Sequence, residues 1–169
     1  MHKKPEDSPM VILNSSTNMA TSPVYEKSNA IESVEYSRFN KSYATRVINT
    51  SGAKNRQMVG QSLIDYLCEK YKIQRIPLIV TERPRAQRVT SRGKATTYGF
   101  YKHVGSHGVS ITIYNTTPST HKEVGAKTFL NTLLHEFCHH YDIAYLKFDD
   151  SPHTAGFYKR ISDLSAKLQ

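Results

Sequence analysis

From Lys122 to about Ile143 the chain carries one long amphipathic pattern, with Leu130, Leu133, Leu134, Phe137 and Tyr141 recurring at three- and four-residue steps. A stripe of that period belongs on the buried face of an α-helix. Set into it is His135-Glu136-Phe137-Cys138-His139. Side chains four apart lie above one another on one helical face, so His135 and His139 can direct both imidazoles at a single ion. Glu136 follows the first of them and can reach a water on an open metal position. His140, beside His139, falls on a different face and reads as an exposed histidine or as a partner outside the ligand set. Cys138, three residues past His135, reads as a small packed side chain.

A catalytic zinc takes three protein ligands and keeps a fourth place for water. Candidates for the third lie in the segment Asp149-Asp150-Ser151-Pro152-His153-Thr154-Ala155-Gly156-Phe157-Tyr158. The chain turns at Ser151-Pro152, and a final helix is expected from about Thr154 to Leu168, with Phe157, Ile161, Leu164 and Leu168 on one side. His153 sits just before that helix, at a distance from His139 that lets a loop return across the active helix. Asp142, Asp149 and Asp150 are weaker ligand candidates. Asp142, three residues past His139, instead suits a carboxylate that accepts a hydrogen bond from a liganding imidazole.

These residues resemble a family. The HExxH motif, a short Asp-rich loop, then His and a Gly-Phe-Tyr helix start are similar to the SprT-like (Spartan-type) zinc metallopeptidases. The resemblance covers residues 56–169 in element order, and its specific part is His135–His139 with Ser151–Tyr158. It implies His135, His139 and His153 as ligands of one Zn2+, Glu136 as the catalytic carboxylate, and a zincin-like fold. Tyr158 or Tyr141 would supply a donor to the transition-state oxyanion. The sequence departs from the family in its cysteines. Many members carry a four-cysteine zinc ribbon, whereas only Cys68 and Cys138 occur here, so a second, structural zinc is not expected.

A length of 169 residues suits one domain with a sizeable core. Hydrophobic residues make up 38% and the mean hydropathy is −0.54, and no apolar run approaches the length of a membrane span. The run Met10-Val11-Ile12-Leu13 is too short for the apolar region of a signal peptide. A cytoplasmic protein is expected, or a nucleoid- or nucleus-associated one if it binds DNA. Two thiols fit a reducing compartment, where disulfides are rare.

Residues 1–55 are rich in Ser, Thr and Asn without sustained period and read as a flexible or loosely attached N-terminal extension, with a short strand at Ala44–Ile48 as one option. From Arg56 the pattern becomes regular. Met58, Leu63, Ile64, Leu67 and Tyr71 predict a helix ending near Lys72. Strands are expected at Ile76–Thr81, Tyr98–Val104 and Val109–Tyr114, the last two joined by a hairpin turn at Gly105–Gly108. The expected fold class is α+β: a small antiparallel sheet packed against the HExxH helix, with flanking helices. Val109–Tyr114 is the expected edge strand, where an extended peptide could pair across the metal.

Net charge is +9. Between residues 68 and 107, nine Lys and Arg stand against Glu69 and Glu82, a local excess of +7. Its centre, with Arg83, Arg85, Arg88, Arg92 and Lys94, reads as a loop that neutralises phosphates without reading sequence. A solvated loop that only aids solubility is the competing explanation. The family includes proteases that degrade proteins crosslinked to DNA, so the resemblance favours DNA. Three functions follow: a zinc endopeptidase acting on protein or peptide substrates, including DNA-associated ones; a non-catalytic zinc-containing nucleic-acid-binding module; or a regulatory peptidase cleaving one partner. Glu136 favours catalysis, since a structural zinc needs no general base.

Overall fold

The computed structural model describes residues 22–84, 88–91, 93–95, 98–103 and 108–169. Within them the order is α1 (Pro23–Ala30), α2 (Ser42–Ile48), α3 (Ala53–Tyr71), β1 (Leu78–Thr81), β2 (Arg88–Thr90), β3 (Gly93–Ala95), β4 (Gly99–Lys102), β5 (Ser110–Tyr114), α4 (Ala126–Ala144) and α5 (Ala155–Leu168). The chain is therefore α+β, as the patterning implied.

Helix ends follow local chemistry. Lys72 takes a left-handed φ of 54° after α3, so that its N–H reaches Glu69 and the Ile73 N–H reaches Cys68. That pair of bonds is a Schellman close. Thr154 caps α5 by accepting from the Phe157 N–H at 3.0 Å. The α4 stripe is buried as its period requires: Phe129, Leu130, Leu133, Leu134, Phe137 and Tyr141 are each at most 1% exposed.

The sheet differs from expectation in two respects. Its order is β1-β5-β4, with β1 parallel to β5 and β4 antiparallel to it, so it is mixed rather than antiparallel. Ser110–Tyr114 is thus the central strand and not the edge. The long stretch between β1 and β5 permits the parallel pairing, which a hairpin could not make. Leu78, Ile111 and Ile113 are buried on the sheet face toward the helices. Two α3 glutamines close the far side of β1. The Gln57 side chain accepts from Val80 N–H and donates to Leu78 C=O, while Gln61 accepts from Leu78 N–H and donates to Ile76 C=O. An edge saturated in this way offers no ladder to another chain. The hairpin expected at Gly105–Gly108 lies outside the described residues, apart from Gly108.

Residues 22–55 are not a loose extension. Val34, Ala44 and Val47 are in the same core cluster as the α4 stripe, and Ala44–Ile48 is helical, not a strand. The physical reason is that this segment packs through scattered contacts with no period. Val34 N–H donates to Asp163, the Glu35 N–H donates to the Tyr141 hydroxyl, and Lys159 pairs with Glu32 at 2.6 Å. Residues 1–21 lie outside the described part of the chain.

Where α1 meets α5 the backbones nearly touch. A Cβ on Gly156 would lie 2.4 Å from the Ser28 carbonyl oxygen and 2.5 Å from that of Asn29. Only glycine permits that approach. Gly156→Ala should therefore destabilise the protein by about 1–3 kcal/mol, the usual scale of overpacking in a rigid site. A denaturant midpoint equal to that of the parent would show that the two helices separate at no cost.

Candidate metal centre

Because α4 is continuous through the motif, its geometry sets two ligands from one element. His135 and His139 present their rings on one face, 5.1 Å apart between centroids. The third arrives from the loop before α5. His153 Nε2 lies 3.1 Å from His135 Nε2 and 3.0 Å from His139 Nε2. One ligand atom from each of the three falls within 4.8 Å of the others. A four-coordinate ion such as zinc, with bonds of about 2.0–2.1 Å, separates its ligand nitrogens by roughly 3.3 Å. The three side chains can therefore hold a metal ion, and the sequence expectation of His153 as the third donor agrees with where the fold places it. Asp149 and Asp150 line the same cavity without joining the cluster.

Burial keeps the helical imidazoles neutral. Desolvation first, then the charge of His153, pushes His135 down to about 4. His139 falls to about 3, through desolvation and then the neighbouring His135 and His153. Neutral imidazole is the form that binds a metal.

Glu136, between the two helical histidines, is 6% exposed. Desolvation raises its carboxyl to about 7, against the pull of a backbone hydrogen bond from Tyr101 on β4. Gly99 makes that proximity possible: a Cβ there would meet Glu136 Cγ at 3.1 Å and Thr132 Cγ2 at 2.8 Å. Glu136 and the three histidines line one cavity of about 540 Å³, walled also by Gly99, Tyr101 and His103. A carboxyl poised near neutrality beside a cluster of metal donors is suited to moving protons.

Asp142 does not touch an imidazole. Ser151 stands between, with its hydroxyl 2.8 Å from His139 Nδ1 and donating to Asp142 Oδ2 at 2.9 Å. Asp142 is fully buried and is bound on its other side by Arg160, at 2.8 Å. In the sequence Ser151 is legible only as a turn residue, because no spacing rule links it to His139. His140 is likewise not exposed. At 2% exposure it donates from Nε2 to the Gln74 carbonyl at 2.8 Å and accepts the Tyr101 hydroxyl at Nδ1, 3.2 Å away. Tyr101 was legible only as a strand residue, yet its ring also lies nearly parallel to that of His139.

The two tyrosines proposed as oxyanion donors separate. Tyr141 is buried, and its hydroxyl accepts from the Glu35 N–H. Tyr158 is 51% exposed, with its ring 5.8 Å from that of His153. Of the basic residues, Arg83 is exposed, and the expected loop is in part a two-stranded ribbon carrying Arg88 on β2 and Lys94 on β3. Arg85 and Arg92 lie outside the described residues.

The raised Glu136 carboxyl has a thermodynamic signature in metal-free protein. Between pH 4.5, its ordinary value, and about 7 the folded chain holds a proton that the unfolded chain has released. The folded state binds more protons there, so this group's contribution to stability falls as pH rises through the window. Glu136→Gln lacks that loss. Its thermal midpoint in chelator should exceed the parent's at pH 8, with the gap closing toward pH 4.5. A gap independent of pH would mean that the carboxyl titrates normally. Comparison with family models, with curated proteins and with solved structures finds no match to the chain, so the chemistry of the site rests on its own geometry.

Proposed function

We propose that the chain is a zinc-dependent endopeptidase with a zincin-like fold, of the SprT-like type that its motifs resemble. The observation that carries this reading is the joint placement of a buried Glu136, its carboxyl raised toward neutrality by desolvation, and the His135, His139, His153 cluster in one open cavity. A structural metal site has no use for such a carboxyl.

The three imidazoles would hold the zinc, which when bound supplies Lewis acidity that acidifies water and polarises a peptide carbonyl. Glu136 takes the proton from the attacking water and delivers it to the leaving amine. The Tyr101 N–H and the close-fitting Gly99 hold its carboxyl in place for both transfers. Tyr158, exposed beside the rings of His135 and His153, is the candidate donor to the oxyanion. Ser151 and His140 are hydrogen-bonded to the neighbouring rings of His139 and Tyr101.

Substrates carried on DNA are favoured by the basic segment, with Arg83, Arg88 and Lys94 and the excess of positive charge around them. Chelator-sensitive cleavage of a general protein substrate, stimulated by single-stranded DNA, is the expected result. DNA binding without cleavage would support the non-catalytic module, and cleavage confined to one partner would support a regulatory peptidase. No helix among the described residues is long and apolar enough to cross a membrane.

Glu136→Gln should retain zinc and lose at least about a hundredfold in hydrolysis, the lower range for removing a general base. Normal turnover in that variant would refute the assignment. His153→Ala should lower zinc affinity by well over the roughly 10–100-fold that loss of an outer partner costs. Equal metal content by elemental analysis would remove His153 from the ligand set.

A further inference from the structure

The hydrogen bonds behind His139 have a fixed direction, and that direction can be read from chemistry alone. A guanidinium only donates. Arg160 Nε and Nη2 therefore donate to Asp142, at 3.1 and 2.8 Å, and leave it a carboxylate with acceptor capacity to spare. The Ser151 hydroxyl donates to that carboxylate. Its single proton is thereby spent, so toward His139 Nδ1 it can only accept. His139 must then carry its proton on Nδ1 and its lone pair on Nε2, the atom facing His153.

Arg160 is itself fixed at the other end. Its Nη1 donates to the carbonyl of Ser28 at 2.6 Å and to that of Ile31 at 2.5 Å, and its Nη2 also reaches the Ser28 hydroxyl. Ser28 Oγ lies 3.0 Å from Thr154 Oγ1, on the residue that follows His153. Ser28, Asp142, Thr154 and Arg160 are all fully buried. A segment more than a hundred residues upstream thus grips the supports of two of the three imidazoles.

We propose that Ser151 is a positioning residue for the metal centre: it commits His139 to the tautomer whose Nε2 is free to bind, and Asp142, Arg160 and Ser28 hold it in that role. The inference rests on reading His139 as a metal ligand, and not on the peptidase activity. A histidine without this relay would divide its population between two tautomers, and only one of them has its lone pair at the cluster.

The test uses the full chain with two readouts, neither of them hydrolysis. In metal-free, 15N-labelled protein the imidazole nitrogen shifts report the His139 tautomer, and zinc affinity is measured by competition with a chelating dye. The parent should show Nδ1–H alone. Ser151→Ala should show both tautomers and bind zinc about 10–100-fold more weakly, the range for losing an outer hydrogen bond to a metal-bound histidine. Ser151→Thr, which keeps the hydroxyl, should restore both properties, and Ser28→Ala should weaken binding less than Ser151→Ala. Should Ser151→Ala not fold, Ser151→Cys supplies the same readouts. An unchanged tautomer together with zinc affinity within about twofold of the parent would overturn the role of Ser151. A parent that binds no zinc would instead refute the ligand reading, while its tautomer would still report on the relay.

Discussion

Arg160 and Asp142 form an ion pair in which neither side chain is exposed. Such a pair is costly to desolvate, and it persists only where geometry and extra hydrogen bonds satisfy every donor and lone pair. Here they do: Arg160 has Asp142 on one side and the Ser28 and Ile31 carbonyls on the other, while Asp142 also takes the Ser151 proton. Among the described residues, no buried side-chain polar atom lacks a partner. Removing either partner would strand a buried charge, an effect of about 3–5 kcal/mol. The pair ties α4, α5 and α1 together behind the histidine cluster, and it connects to His139 through Ser151 and to Thr154, the neighbour of His153, through Ser28.

The front of the cluster is set by the sheet. β4 lies against α4 closely enough that its glycine touches Glu136, and its next odd residue, Tyr101, supplies a backbone bond to the carboxyl and a hydroxyl to His140. The same strand thus raises the local density of protein around Glu136, which lifts its carboxyl, and limits how far that carboxyl can move. The orientation of the carboxyl and its raised proton affinity come from one packing contact.

Two successive histidines illustrate how burial divides one residue type between roles. His139 faces the cavity with its lone pair toward His153, whereas His140, one position on, is turned into the protein and bonded at both nitrogens. A ring with both nitrogens engaged cannot be a ligand. The 100° step between neighbouring helical residues is enough to separate the two environments.

Much of the site was legible because it is local. The four-residue spacing of His135 and His139, the Glu136 between them and the apolar stripe beneath are consequences of helical period, and they hold wherever the helix forms. Thr154 as a helix start, and His153 just before it, could be read from capping chemistry. Ser151, Arg160, Tyr101 and the membership of residues 22–55 in the core could not, because each acts through a contact between segments far apart in the chain. The order of the strands departs from the sequence expectation for the same cause: alternation in Ile111 and Ile113 reports one buried face, but whether a strand has one neighbour or two is decided by pairing. Sequence alone determined which side chains could face a metal; tertiary packing decided which of them meet in one cluster, since desolvation and hydrogen-bond direction exist only once distant segments meet.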